Sequence, residues 1–258
     1  MLAHFDAVDP VIASLARAVG RCALEDSRAG SCFQHLASAI ASQQISGHVA
    51  RKILDRLIHA HEGEFPTPTQ IHSATTEMLR GIGFSFAKVA ALKDLAAKTL
   101  DGTVPEDEAA ALLADDELIE RLVAVRGIGK WTAQMLLMFR LRRADVLPVD
   151  DFGVRRGFQL AYGLKAMPQP KALLAYGERW SPFRSAASWY LWRAVELHAR
   201  GERPVRAGRA PRVAQVKPKA ASKPKAKRAK SPPRKARVTP AAKKRARGGK
   251  KAVRRRRQ

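Results

Sequence analysis

Apolar side chains recur at three- and four-residue spacing along most of the first 200 positions, the repeat of a helix with one buried face. Phe33, Leu36, Ala37, Ile40, Ile45, Val49, Ile53 and Leu57 keep that spacing through residues 31–61. Asp9-Pro10 reads as a cap followed by a first-turn proline, opening a helix to about Val19. Pro66 and Pro68 interrupt, and a helix through Met78 and Leu79 follows. "FAKVAALKDLAAKTL" predicts a helix that stops at Asp101-Gly102. Further helices fit 106–114, 116–125, 130–142, 151–162, 170–180 and 183–199. No segment alternates apolar and polar positions as a strand would. The pattern predicts an all-α body of two helical lobes with a cleft between them.

Charge divides the chain in two. Residues 201–258 hold 24 of the 48 basic side chains and one of the 23 acidic ones, Glu202; residues 1–200 hold the other 24 and 22. The body is therefore near neutral and the tail strongly cationic. The tail has almost no large apolar side chains, and prolines at 218, 224, 232, 233 and 240 break it. It cannot bury enough surface to offset the entropy of ordering, so 201–258 is expected to be a disordered polycation whose default partner is nucleic acid. The folded domain is expected to occupy 1–200.

Other classes are set aside on composition. Cys22 and Cys32 cannot supply a four-cysteine zinc or iron–sulfur site. The start "MLAHFDAVDP" has no basic-then-apolar leader, and no apolar run is long enough for a membrane span. His4, His35, His48, His59, His61, His72 and His198 show no ligand spacing with a third partner. The chain is expected to be a soluble, reduced, cytoplasmic monomer without membrane contact or metal, associated with the nucleoid, or nuclear in a eukaryote.

"LVAVRGIGKWTAQMLL", residues 122–137, reads as helix, Gly-Ile-Gly turn, helix. Gly127 and Gly129 allow a tight turn, and Ile128 fits between the helices. The unpaired amides that open the second helix, with its dipole, make an anion site beside Lys130. Gly127, Ile128, Gly129, Lys130 and Thr132 are the candidate contacts to a DNA backbone. "RGIGFSFAKVAAL" at 80–92 begins with the same four letters but lacks the Lys and Thr, and is read as a packing corner. About twenty residues past the hairpin stands "ADVLPVDDFGVRRGF", where Asp150 and Asp151 precede a helix. One acid there is an ordinary cap; two repel, so one is expected to cap while the other does something else.

Taken together, these motifs resemble the helix–hairpin–helix/Gly-Pro-Asp superfamily of DNA glycosylases. "GIGKWTA", "LPVDDFGVRRGF", "ERWSPFRSAASWYLWRA" and "AIASQQISGHVA" are similar to the 3-methyladenine DNA glycosylase II (AlkA-type) branch, over roughly residues 5–200. The resemblance implies a glycosylase of base excision repair that acts on damaged bases in double-stranded DNA and flips the target nucleotide out of the duplex. It implies Asp151 as the catalytic carboxylate, 20 positions after Trp131, with Asp150 as cap or support. It implies a base pocket of Trp131, Trp192 and Gln43, suited to stacking on a cationic alkylated purine. Trp131 stands where glycosylase–lyases carry a lysine, so no amine is there to attack the sugar, and a monofunctional enzyme is expected. No cofactor is implied, although the hairpin carbonyls are a candidate site for a monovalent cation. Two competing readings remain: a non-enzymatic helix–hairpin–helix DNA-binding or nucleoid protein, which has no need of the paired acids, and a bifunctional glycosylase for oxidised bases.

Overall fold

The computed structural model describes residues 1–26 and 30–202. All but the first two residues of the expected disordered tail lie outside them. The described residues form α1 (Leu2–Val8), α2 (Pro10–Val19), α3 (Cys32–Ser42), α4 (Gly47–His59), α5 (Pro68–Ser73), α6 (Thr76–Ile82) and α7 (Phe86–Leu100). They continue with α8 (Asp107–Leu112), α9 (Asp115–Val123), α10 (Lys130–Met135), α11 (Phe152–Ala161), α12 (Pro170–Gly177) and α13 (Arg184–Ala199). Short 3-10 segments add Ala23–Asp26 and Glu178–Trp180, and α10 runs on into a π turn, Leu136–Arg140. There is no strand among the described residues, and none of their helices is long and apolar enough to cross a membrane.

Local chemistry accounts for the helix starts. Ser31 with Gln34 and Thr67 with Gln70 form capping boxes, and Ser46, Thr75 and Ser85 each accept from the third amide of their helices. Asp115, Asp116 and Glu117 put negative charge on the positive end of α9. The single helix suggested by the spacing over 31–61 is two helices. Gln43–Ser46 breaks it: Gln44 takes a left-handed backbone (φ 58°), and the Ser46 hydroxyl opens α4. Helix α1 is too short to show a repeat in the sequence.

Two packed sets emerge. In one, α7 is the hub: it lies on α3, α5 and α6, while α4 packs on α3 and α6, and α10 packs on α9. Val89, Leu92, Leu95 and Ala96 of α7 are buried there. In the other, α13 runs against α11 and α2, with α1 and α12 alongside. The pairing of α11 with α13 is a backbone contact: a Cβ at Gly157 would collide with the Leu191 carbonyl.

The second set is stapled by a buried carboxylate. Asp9 Oδ1 caps α2 by accepting from Val11 N (3.1 Å) and Ile12 N, and Oδ2 accepts from Tyr162 Oη (2.6 Å) and Trp180 Nε1 (2.7 Å). A charge this deep persists only when its lone pairs are satisfied, and here four donors do so. Burial and the Asp9 charge push the Tyr162 phenol well above its ordinary range.

Candidate active site

The two sets meet at Asp151, the residue before α11. Its Oδ1 accepts from the Val154 amide (2.6 Å), so Asp151 is the N-cap of its own helix. The same oxygen accepts from Trp192 Nε1 of α13 (2.8 Å). Oδ2 accepts from Trp131 Nε1 of α10 (2.7 Å). One carboxylate thus holds two indole N–H groups and one backbone amide, drawn from three helices.

This corrects the expected division of labour between the paired acids. The cap is Asp151 and not Asp150, which is exposed and whose side chain makes no hydrogen bond or ion pair among the described residues. The sequence argument held that capping and a second role need two residues. The structure places both on one side chain, because a carboxylate has lone pairs enough for its own helix and for two neighbours.

The tryptophans differ. Trp131, at the second position of α10, is 50 % exposed and reaches Asp151 only through its ring edge. Trp192 is partly buried. Phe139, from the π turn, stacks on it (centroids 5.7 Å apart, 20° between planes), and Gly153 lies against its pyrrole edge. Phe152, next to Asp151, projects at 67 % exposure. Sequence reading passed over Phe139, Phe152 and Gly153. For Gly153 the available signal was the G-x-x-x-G of "FGVRRG", which marks a helix face that admits close packing.

The hairpin is built as its letters suggested. Ile128 is buried between α9 and α10, and Gly127 takes φ 80°, a backbone that other residues adopt at a cost. Gly129 is the N-cap of α10 and offers no side-chain acceptor to the amides that follow. A Cβ there would meet nothing within 4 Å, so the approach is open. Lys130 is exposed beside it, whereas Thr132 is buried.

Two contacts brace the turn from behind. Gln43 Nε2 donates to the Gly127 carbonyl (2.8 Å), which ties the end of α3 to the hairpin. The amide sought as part of a base pocket is therefore engaged with the turn. Asp94 of α7 accepts from the Arg126 amide (2.7 Å) and from Lys98 Nζ (2.7 Å). Burial alone would raise the Asp94 carboxyl; these donors together outweigh it and hold it below the usual carboxylate range. Among the described residues, no three His, Cys, Asp or Glu side chains gather into a group that could hold a metal.

Known proteins share this fold. The family model described as "HhH-GPD superfamily base excision DNA repair protein" matches residues 37–182. The chain is 41 % identical over 166 residues to DNA-3-methyladenine glycosylase 1 of Schizosaccharomyces pombe, covering 64 % of this chain and 73 % of that protein. It is 28 % identical over 170 residues to DNA-3-methyladenine glycosylase 2 of Escherichia coli, covering 62 % and 56 %. A solved S. pombe 3-methyladenine DNA glycosylase in complex with abasic DNA superposes with a TM-score of 0.68 at 37 % identity, over 76 % of this chain and 96 % of that one. With a hairpin opening on a bare helix N-terminus and an aspartate at the head of the helix beyond it, this chain belongs to the HhH-GPD superfamily of base excision DNA repair proteins.

Proposed function

We propose that the protein is a monofunctional DNA glycosylase that hydrolyses the N-glycosidic bond of alkylated purines of the 3-methyladenine type in duplex DNA. The observation that carries this is Asp151: a carboxylate held by two indole N–H groups and an amide, beside a half-exposed Trp131, at the foot of an open hairpin. The relatives named above support the substrate class.

The steps follow from the groups present. A DNA phosphate sits on the free amides opening α10, with Lys130 alongside. The damaged nucleotide leaves the stack so that its sugar reaches Asp151. The bond from C1′ to the base breaks, its electron pair leaves with the base, and the sugar gains positive charge. A fixed carboxylate stabilises that charge, and its hydrogen-bonded neighbours let it do so without rearranging. Water adds its oxygen to C1′ and loses a proton, giving a free base and an abasic site. An N3- or N7-alkylated purine already carries positive charge and departs without a strong acid. Trp131 offers the ring face that such a cation favours. It offers no amine, so the strand stays intact.

In the same proposal, the basic segment from 201 adds sequence-independent, salt-sensitive affinity for DNA, and the enzyme acts as a monomer. A monovalent cation at the hairpin would share the Gly127 carbonyl with Gln43. The test is product analysis on methylated duplex DNA. Free 3-methyladenine with an unbroken abasic strand, and no borohydride-trapped adduct, is the expected result. Strand nicking through a trapped adduct would refute the monofunctional reading.

A further inference from the structure

Trp192 occupies a position that the sequence reading gave to the base pocket, yet its surroundings fit a different task. Its indole N–H is used on Asp151 Oδ1 (2.8 Å), one face is stacked on Phe139, and its pyrrole edge lies over Gly153. A Cβ at Gly153 would stand 2.7 Å from Trp192 Cδ1, 2.9 Å from its Nε1 and 3.1 Å from Asp151 Oδ1. Only a residue without a side chain lets the indole reach the carboxylate.

One turn along, Gly157 admits the Leu191 backbone against α11. Gly153 and Gly157 therefore form a trough on α11 that sets the depth of α13. Trp192 follows Leu191 in sequence, so that depth fixes the height at which the indole meets Asp151. The π turn supplies the remaining support, because Phe139 lies within it.

We infer that Trp192 is a positioning residue, which holds the Asp151 carboxylate in its reacting orientation through the indole N–H, and that Gly153 is the residue that makes this contact possible. The inference rests on the reading of Asp151 as the reacting carboxylate. The side chain nearest the damaged base is then Trp131, whose exposed ring borders the open side. Oδ1 is committed to the scaffold by Val154 and Trp192, and Oδ2, which accepts from the half-exposed Trp131, is the oxygen assigned to the sugar.

The experiment uses the full chain and methylated duplex DNA, with Trp192→Phe and Gly153→Ala measured beside Asp151→Asn. Trp192→Phe keeps a ring for Phe139 to stack on and removes the N–H. Gly153→Ala favours the helix but displaces the indole; a melting curve for each variant separates loss of activity from loss of fold. Each is expected to lower single-turnover base release by roughly 10- to 100-fold, while affinity for duplex DNA carrying an abasic site changes less than about twofold. In the Asp151→Asn background, neither is expected to lower the rate further. Wild-type release by Trp192→Phe, or a loss confined to affinity, would overturn the inference. So would a full additional loss in the Asp151→Asn background. A full-rate Asp151→Asn enzyme is a separate result, which removes the underlying reading of Asp151 instead.

Discussion

Two corners of this molecule begin with the same four letters, Arg-Gly-Ile-Gly, and end as different devices. At 80–83 the chain passes from α6 into α7, and Ser85 caps the new helix by accepting from the Lys88 amide (3.3 Å). Arg80 folds over its own corner, donating to the Phe84 carbonyl (2.8 Å) and lying 4.2 Å from the centre of the Phe86 ring. At 126–129 the cap is Gly129, which has no side chain to give, and Lys130 stays exposed. One corner caps its helix with a side chain; the other opens its helix with no side-chain acceptor. The shared letters build the bend, and the residues just after them decide whether the next helix is capped by a side chain or left uncapped.

The corners are also joined, because Asp94 on the helix leaving the first one holds the Arg126 amide of the second. Removing that brace is the largest perturbation expected of the two corners. Asp94→Ala should cost about 1–2 kcal/mol of stability near neutral pH, discounted for its partial exposure, and loosen DNA binding as well. The sign with pH follows from its lowered folded-state value. The contribution is present above the unfolded carboxylate range and is lost as pH falls through the folded value. Urea titrations at pH 7 and pH 3 should therefore show the deficit shrinking in acid; a deficit constant across pH would break the link between the corners.

A more pointed test gives the second corner the cap of the first. Gly129 has φ −100° and open space around its Cβ position, so Gly129→Ser is sterically permitted. The hydroxyl should take an amide now left for DNA. Affinity for duplex DNA is expected to drop about tenfold, or 1.4 kcal/mol, with no loss in melting temperature. Unchanged affinity would show that those amides do not hold phosphate. The converse change, Ser85→Ala, should cost about 1 kcal/mol of stability and leave DNA binding alone. Smallest of all, Lys130→Ala should weaken binding a few-fold, equally for all sequences, and reduce the salt slope by about one.

What could be read from the letters follows the range of the interactions. Helix starts at Asp9, the Gly-Ile-Gly turn, the buried Ile128 and the placing of Asp151 before a helix all depend on neighbours within a few positions. Those features stand in the structure as expected. The features that were not legible depend on contacts far apart in the chain. Asp9 reads as a cap, but nothing near it announces Tyr162 and Trp180 on its second oxygen. Gln43 reads as a pocket amide, and only the folded chain brings it to Gly127. The break at Gln43–Ser46 hid inside an uninterrupted apolar spacing, because periodicity does not register a backbone that turns left-handed for one residue. The cap was looked for at Asp150 and stands at Asp151 for a related reason: a sequence shows two carboxylates but not how many donors converge on one.

The most direct measurement is base release from methylated duplex DNA by the wild-type protein and by Asp151→Asn, with DNA affinity measured on both. The account predicts alkylated purines released by the wild type, a loss of about 10²- to 10⁴-fold in the variant, and binding retained. Equal release by both proteins, or none by either despite tight binding, would contradict it.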